Sequence, residues 1–203
     1  MQYLFRPRLL GLVLVALLAT SCTASSEHLE TPILRSPDVL FVPTPPATVS
    51  AALRLAEVSP SDIVYDLGSG DGRVVIAAAR EFGARGIGIE IDATLIARAR
   101  VNAMKAGVPQ LVRFHHQDLF LADIRQATVV FAYLLPDLNA RLLPKLLKDL
   151  IPGTRVLFYT FMLPGLTPDR TQQDSRGRSI YLWRVPARSP TSRLHGSQKC
   201  CSG

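Results

Sequence analysis

From Asp62 onward the chain alternates between short apolar runs and longer segments of helical period, and this alternation constrains the fold more than any other feature. "DIVYDL" (62–67), "ARGIGIEI" (84–91), "VRFHHQDL" (112–119), "ATVVFAYL" (127–134) and "TRVLFYTF" (154–161) read as strands, and "RSIYLWRV" (178–185) as a late one. "GRVVIAAAREF", closed by Gly83, reads as a helix. So do "DATLIARARVNAMKAG", capped by Asp92 or Thr94, and "LNARLLPKLLKDL", which Pro144 is expected to interrupt. Strands linked through helices pair in parallel, and the crossing helices cover both faces of the sheet. The expected class is therefore α/β, a Rossmann-like, mostly parallel sheet with helices on both faces. Upstream, "FVPTPPATV" is a stiff extended segment, because each proline fixes its own φ and biases its predecessor away from helix. "ATVSAALRLAEV" then has helical spacing.

The first strand runs into "DLGSGDG". In an open α/β sheet, ligands lie beyond the carboxyl ends of the strands. Gly68, Gly70 and Gly72 let the backbone turn tightly and approach a ligand closely. Three ligands compete for such a loop. A phosphate loop needs Lys and then Ser or Thr after its last glycine, and here Arg73 and Val74 follow Gly72. A dinucleotide site wants G-x-G-x-x-G and an acid about 20 residues on. Glu90 meets the second requirement, but Arg73 stands where the third glycine belongs. S-adenosylmethionine has a ribose diol, an adenine and an amino acid end, with no phosphate, so its site needs hydrogen-bond acceptors. Asp66 at the first strand end suits the amino group, and Glu90 at the second suits the ribose hydroxyls. Asp118 at the third suits the adenine amine, with Leu119 covering the ring. Gly68, Ser69 and Gly70 supply the close backbone. Singly, Asp66 reads equally as a turn former, Glu90 as a surface acid and Asp118 as a cap. Three carboxyls at three successive strand ends favour S-adenosylmethionine. As a strand-end acid, Glu90 is expected to carry cofactor affinity and to contribute little to the fold.

At these residues the chain resembles a known group. "VYDLGSGDG", "GIGIEI" and "QDLF" are similar to the class I S-adenosylmethionine-dependent methyltransferases. "FVPTPP", "ATVVFAYLLPDL" and "FMLPGLTPDRT" followed by "IYLWRV" bring it nearest to the ATP synthase c-subunit lysine methyltransferases and their small bacterial relatives. The likeness runs from Phe41 to Val185. It implies a class I methyltransferase sheet, an enzyme that methylates a protein lysine, and an apolar N-terminal segment. A small-molecule oxygen or nitrogen remains the alternative acceptor. An exported, non-catalytic lipoprotein that retains the fold remains the alternative role.

In this fold the end of the fourth strand faces the transferred methyl. Tyr133 there could orient the acceptor, and Asp137 could receive a proton or guide a cationic amine. Equally, Tyr133 reads as a core-edge aromatic and Asp137 as a helix cap. "FMLPGLTP" (161–168) reads as a lip over the acceptor channel or as an ordinary proline-rich loop. His115 and His116 are adjacent on a strand and point to opposite faces, and no nearby Cys or carboxylate pair completes a set, so no metal is expected.

The remaining chain divides around residues 41–186, the expected methyltransferase domain. Arg6 and Arg8 precede "LLGLVLVALLA" and "TSC", the layout of an export signal over 1–22. The apolar run is shorter than the roughly 20 residues that span a bilayer. Cys22 stands where a lipoprotein signal would place its lipidated residue. Membrane association or export through this leader is expected, or a cytoplasmic protein if the true start lies further on. Residues 23–40 read as a linker, and 187–203, without apolar periodicity, as a disordered tail. The net charge of +7 suits an anionic partner, but much of the excess is arginine in the tails. No basic stripe interleaves with aromatics, which argues against nucleic acid.

Overall fold

The structure, a computed structural model, describes residues 36–37, 39–163 and 165–187. The expected leader, most of the linker and nearly all of the expected tail lie outside them. The elements in chain order are α1 (Pro46–Leu55), β1 (Ile63–Leu67), α2 (Arg73–Phe82), β2 (Arg85–Glu90), α3 (Ala93–Lys105), β3 (Val112–His116), β4 (Val129–Ala132), α4 (Pro136–Asp149), β5 (Arg155–Tyr159), β6 (Arg170–Gln173) and β7 (Ser179–Arg184).

They form one sheet in the order β3-β2-β1-β4-β5-β7-β6. The first five strands are parallel, and β7 runs antiparallel between β5 and β6. The reversal of strand order on either side of β1 opens a crevice at the carboxyl ends of β1 and β4. Alternate strand residues point to opposite faces. Val64, Val129, Phe131, Leu157 and Leu182 pack with α1 and α2 on one side. Tyr65, Leu67, Val130, Val156 and Phe158 pack with Leu138, Leu142 and Leu146 of α4 on the other. Burial on both faces explains why the central strands β1, β4 and β5 read as continuous apolar runs.

Two elements depart from expectation. β6 is one: its Arg-Thr-Gln-Gln residues are all exposed at the sheet edge and carry no apolar signal. The other is α4, which is not interrupted at Pro144 but runs through it, starting two residues early with Pro136 at its first position. Both Pro144 and Ala140, whose carbonyl loses its helical partner, lie away from the buried Leu142 and Leu146 face. Water can satisfy that carbonyl there.

Candidate active site

The glycine loop is fixed to β2 by backbone bonds. The amides of Gly68 and Ser69 both donate to the Ile89 carbonyl at 2.9 Å. Gly70 takes φ +53°, and a side chain there would stand 2.1 Å from Cε2 of Phe41. The extended segment before α1 therefore lies over the loop as a strap. Arg73, at the start of α2, fastens it. Its guanidinium forms a two-pronged pair with Asp71, at 2.9 and 2.6 Å, and donates to the Thr44 carbonyl at 2.9 Å. It also lies 5.9 Å from the centre of the Phe41 ring.

Glu90 closes the loop from the other side. Its Oε2 accepts from the Gly70 amide at 2.8 Å, and its Oε1 from the amides of Ile91 and Asp92 at 2.8 and 3.0 Å. The expectation that this acid contributes little to the fold is corrected: it is 8% exposed and ties three backbone donors together. Asp92, next along, caps α3 by accepting from Thr94 and Leu95.

Strap, loop and strand ends enclose a cavity of about 490 Å³. Asp66, Gly68, Ser69, Glu90, Asp118 and Leu119 line it. Gly70 shapes it through the Glu90 bond. Asp118 is buried, and its Oδ1 accepts from the Phe120 amide at 2.9 Å. Asp66 is 3% exposed and has no hydrogen-bond partner among the described residues. Burial first, and then the charges of Glu90 and Asp71, push its carboxyl well above the ordinary range, with Arg73 opposing. The buried Ser69 hydroxyl is also without a partner among the described residues.

Tyr133 lines the cavity beyond β4, together with Phe131, Leu134 and Leu138. Asp137 does not join it. It is exposed in the first turn of α4, where its charge complements the helix N-terminus. The described residues of the 161–168 loop do not line the cavity either; Met162, Leu163, Leu166 and Pro168 face a small cleft beside Trp183. Sequence reasoning missed the strap contacts of Phe41 and Thr44 and the anchoring role of Arg73. The proline-stiffened "FVPTPP" was the available signal, since so rigid a segment beside a glycine loop implies a fixed packing partner.

The acceptor set tests what the cavity can hold. An unpartnered buried carboxyl, a second at the end of β2 and a third after β3 suit a ligand with a cation, a diol and an amine. Gly68 and Gly70 leave the floor free of side chains. These residues fit S-adenosylmethionine.

Comparison with known proteins agrees. Residues 66–170 match the ANTKMT methyltransferase domain. The chain is 40% identical to a protein-lysine N-methyltransferase of Saccharolobus islandicus, over 73% of this chain and 95% of that one. It is 36% identical to the mouse ATP synthase c-subunit lysine N-methyltransferase, over 70% of this chain but only 56% of that longer protein. A Salinibacter ruber crystal structure, described as an RNA methyltransferase in complex with S-adenosylhomocysteine, is 52% identical. It superposes with a TM-score of 0.71 over 73% of this chain and 97% of that one. By this family match and these relatives, the chain belongs to the ANTKMT methyltransferase domain family of S-adenosylmethionine-dependent methyltransferases.

Proposed function

We propose that this chain methylates the side-chain amine of a lysine on a protein acceptor. The observation that carries the reading is the likeness to the archaeal protein-lysine methyltransferase along nearly that protein's whole length. In this reading Asp66 takes the cofactor's ammonium, Glu90 its ribose and Asp118 its adenine amine. Leu119 covers the adenine ring, and Gly68, Ser69 and Gly70 bring the backbone close. The strand order β3-β2-β1-β4 supports a ligand laid across the first three of these strands, with its reacting end toward β4 and Tyr133. Bound there, S-adenosylmethionine supplies an electrophilic methyl on a sulfonium that departs as a neutral thioether.

The chain then has two tasks. It must deliver a neutral amine, and the wall of Phe131, Tyr133, Leu134 and Leu138 does so by desolvation, which lowers a lysine's pKa. It must also hold the amine in line, and orientation of this kind supplies roughly 7–11 kcal/mol of barrier lowering. Tyr133 is the polar group at that wall. In this reading Asp137, exposed in the first turn of α4 one residue before Leu138 of that wall, guides an approaching cationic side chain.

The test is transfer of labelled methyl to a native cell extract, with mass spectrometry of the product. Methyl-lysine in a protease-sensitive product is expected. A second reading, an RNA acceptor, is favoured by the description of the Salinibacter relative. Label destroyed by ribonuclease and spared by protease would replace the first reading with the second.

We also propose that residues 1–22 direct the chain to a membrane, with Cys22 as the lipidated residue. The basic start and short apolar run support this. Among the described residues no helix is long and apolar enough to cross a membrane. The intact mass and the cell fraction of the native protein test it; an unmodified chain beginning at Met1 in the soluble fraction would overturn it.

A further inference from the structure

Against Tyr133 a buried polar network, none of whose members lines the cavity, ends on a tyrosine. Tyr159 closes β5, and its ring meets that of Tyr133 edge to face, with centres 4.8 Å apart and planes at 63°. Tyr159 is fully buried. Its hydroxyl donates to Oδ2 of Asp174 at 2.6 Å, and the Thr48 hydroxyl on α1 donates to the same oxygen at 3.0 Å. Oδ1 of Asp174 accepts from the backbone amides of Arg176 and Arg178, each at 2.9 Å. The Arg178 guanidinium lies 4.9 Å from the centre of the Tyr159 ring. The Asp174 side chain, 2% exposed, is thus fully engaged.

The Tyr159 hydrogen bond holds the Asp174 carboxyl well below its ordinary range. Burial, and then the Asp174 bond, push the Tyr159 phenol up to about 12. Donor and acceptor therefore keep their roles across the physiological range. The backbone just beyond is held as well. Thr160 has φ +67°, and the Phe161 amide donates to the Tyr159 carbonyl at 2.8 Å. Such a three-residue turn is strained in a β-branched residue. Asn139, fully buried on α4, donates to the Phe161 carbonyl at 3.1 Å and fixes the turn.

The hydroxyl of Tyr133 makes no hydrogen bond to any described residue. Its ring packs against the cluster that contains Tyr159, and within that cluster the edge-to-face contact with the anchored Tyr159 ring is the aromatic contact that orients it. We propose that Tyr159, Asp174 and Thr48 are positioning residues for methyl transfer: they set the ring of Tyr133 and, through it, the line along which the acceptor approaches. The inference rests on the reading of Tyr133 as the acceptor-side residue. It gives the antiparallel β6–β7 hairpin a task at the site, because Asp174 sits in its turn.

The experiment incorporates fluorotyrosine into the full chain and follows the Tyr133 fluorine resonance, identified by its loss in Tyr133→Phe. Tyr159→Phe, which removes one hydroxyl and keeps the ring, should shift or broaden the Tyr133 line, as should Asp174→Asn. Thr48→Val should do so less. S-adenosylhomocysteine affinity should stay at the wild-type level, because Asp66, Glu90 and Asp118 are untouched. Methyl-lysine formation in native extract should fall about tenfold, within the range that small misplacements produce. In a Tyr133→Ala background Tyr159→Phe should add no further loss, since it acts through the missing ring. An unmoved Tyr133 line in folded Tyr159→Phe overturns the proposal, and so do additive losses in the double variant. If the wild type forms no methyl-lysine but the line still moves, the lysine reading fails and the positioning of Tyr133 stands.

Discussion

Replacing Glu90 separates its two duties, holding the glycine loop and holding the cofactor. An ionised carboxylate has about four lone-pair sites, and three are taken by the amides of Gly70, Ile91 and Asp92. About one remains for a ribose hydroxyl. In Glu90→Ala the Gly70 amide, whose bond is buried, loses its partner, at a cost of about 1–3 kcal/mol. The other two amides are half-buried, and water recovers part of their loss. The folded state should weaken by about 2–3 kcal/mol, and for a chain of this size that lowers Tm by about 4–12 °C. Cofactor affinity should fall by one charge-assisted bond, about 1.5–3 kcal/mol, or roughly 10- to 150-fold. Glu90→Gln should lose roughly half of each, because its single amide oxygen can serve one side of the loop but not both. Calorimetric titration with S-adenosylhomocysteine beside a thermal melt reads both quantities. An alanine variant with reduced affinity and a wild-type melt would make the acid a ligand alone. One with a reduced melt and wild-type affinity would make it a clamp alone. Either result refutes the shared role.

Asp66 has the opposite signature. Its raised carboxyl keeps its proton in the folded chain above the ordinary value of 3.8, so stability falls as pH rises from there through the raised value. Asp66→Asn should therefore melt higher than wild type at pH 7 while binding S-adenosylhomocysteine more weakly; a lower melt would contradict the assignment. Because a ligand ammonium favours the ionised form, binding should release a proton and weaken as pH drops below the raised value. Titrations in buffers of different ionisation enthalpy check this, and a proton count of zero at low pH would sink it. Gly70→Ala places a methyl where Phe41 now sits and should displace the strap, lowering both Tm and cofactor affinity. Adding Phe41→Ala should restore part of the melt, and failure to do so would mean that backbone strain at φ +53°, not the clash, is the cause.

The central parallel strands β1, β4 and β5 were legible because burial on both faces writes itself as an apolar run, and the edge strand β3 because it alternates buried Val112 and Phe114 with exposed residues. β6 was not, because a polar edge strand is held by backbone bonds alone. The cofactor carboxyls were legible for a related reason: Asp66 and Glu90 end apolar strands, and Asp118 follows the third closely, so each acid is conspicuous. What those acids touch was hidden. The bond from Gly70 to Glu90 depends on the direction of one amide in a loop of positive φ angles, which no residue pattern encodes. Tyr133 was found by its place after β4. Asp137 fell outside the cavity because α4 begins at Pro136 and leaves the next residue on its exposed side. Thr48, Tyr159 and Asp174 carried no signal: Thr48 and Asp174 meet across 126 positions, and nothing in either neighbourhood announces the other.

That separation bears on the order in which a growing chain becomes competent. The carboxyls of the cofactor side all lie between Asp66 and Asp118, in one continuous stretch of β-α units whose contacts are comparatively local and close early at small entropic cost. The wall behind Tyr133 cannot close until Asp174 and the strand after it have left the ribosome, because Thr48 near the start waits for a carboxylate made near the end. A chain stopped short of the β6–β7 hairpin would carry the cofactor half without the wall that directs transfer. Synthesis thus completes the wall behind Tyr133 only when β7 is laid between β5 and β6.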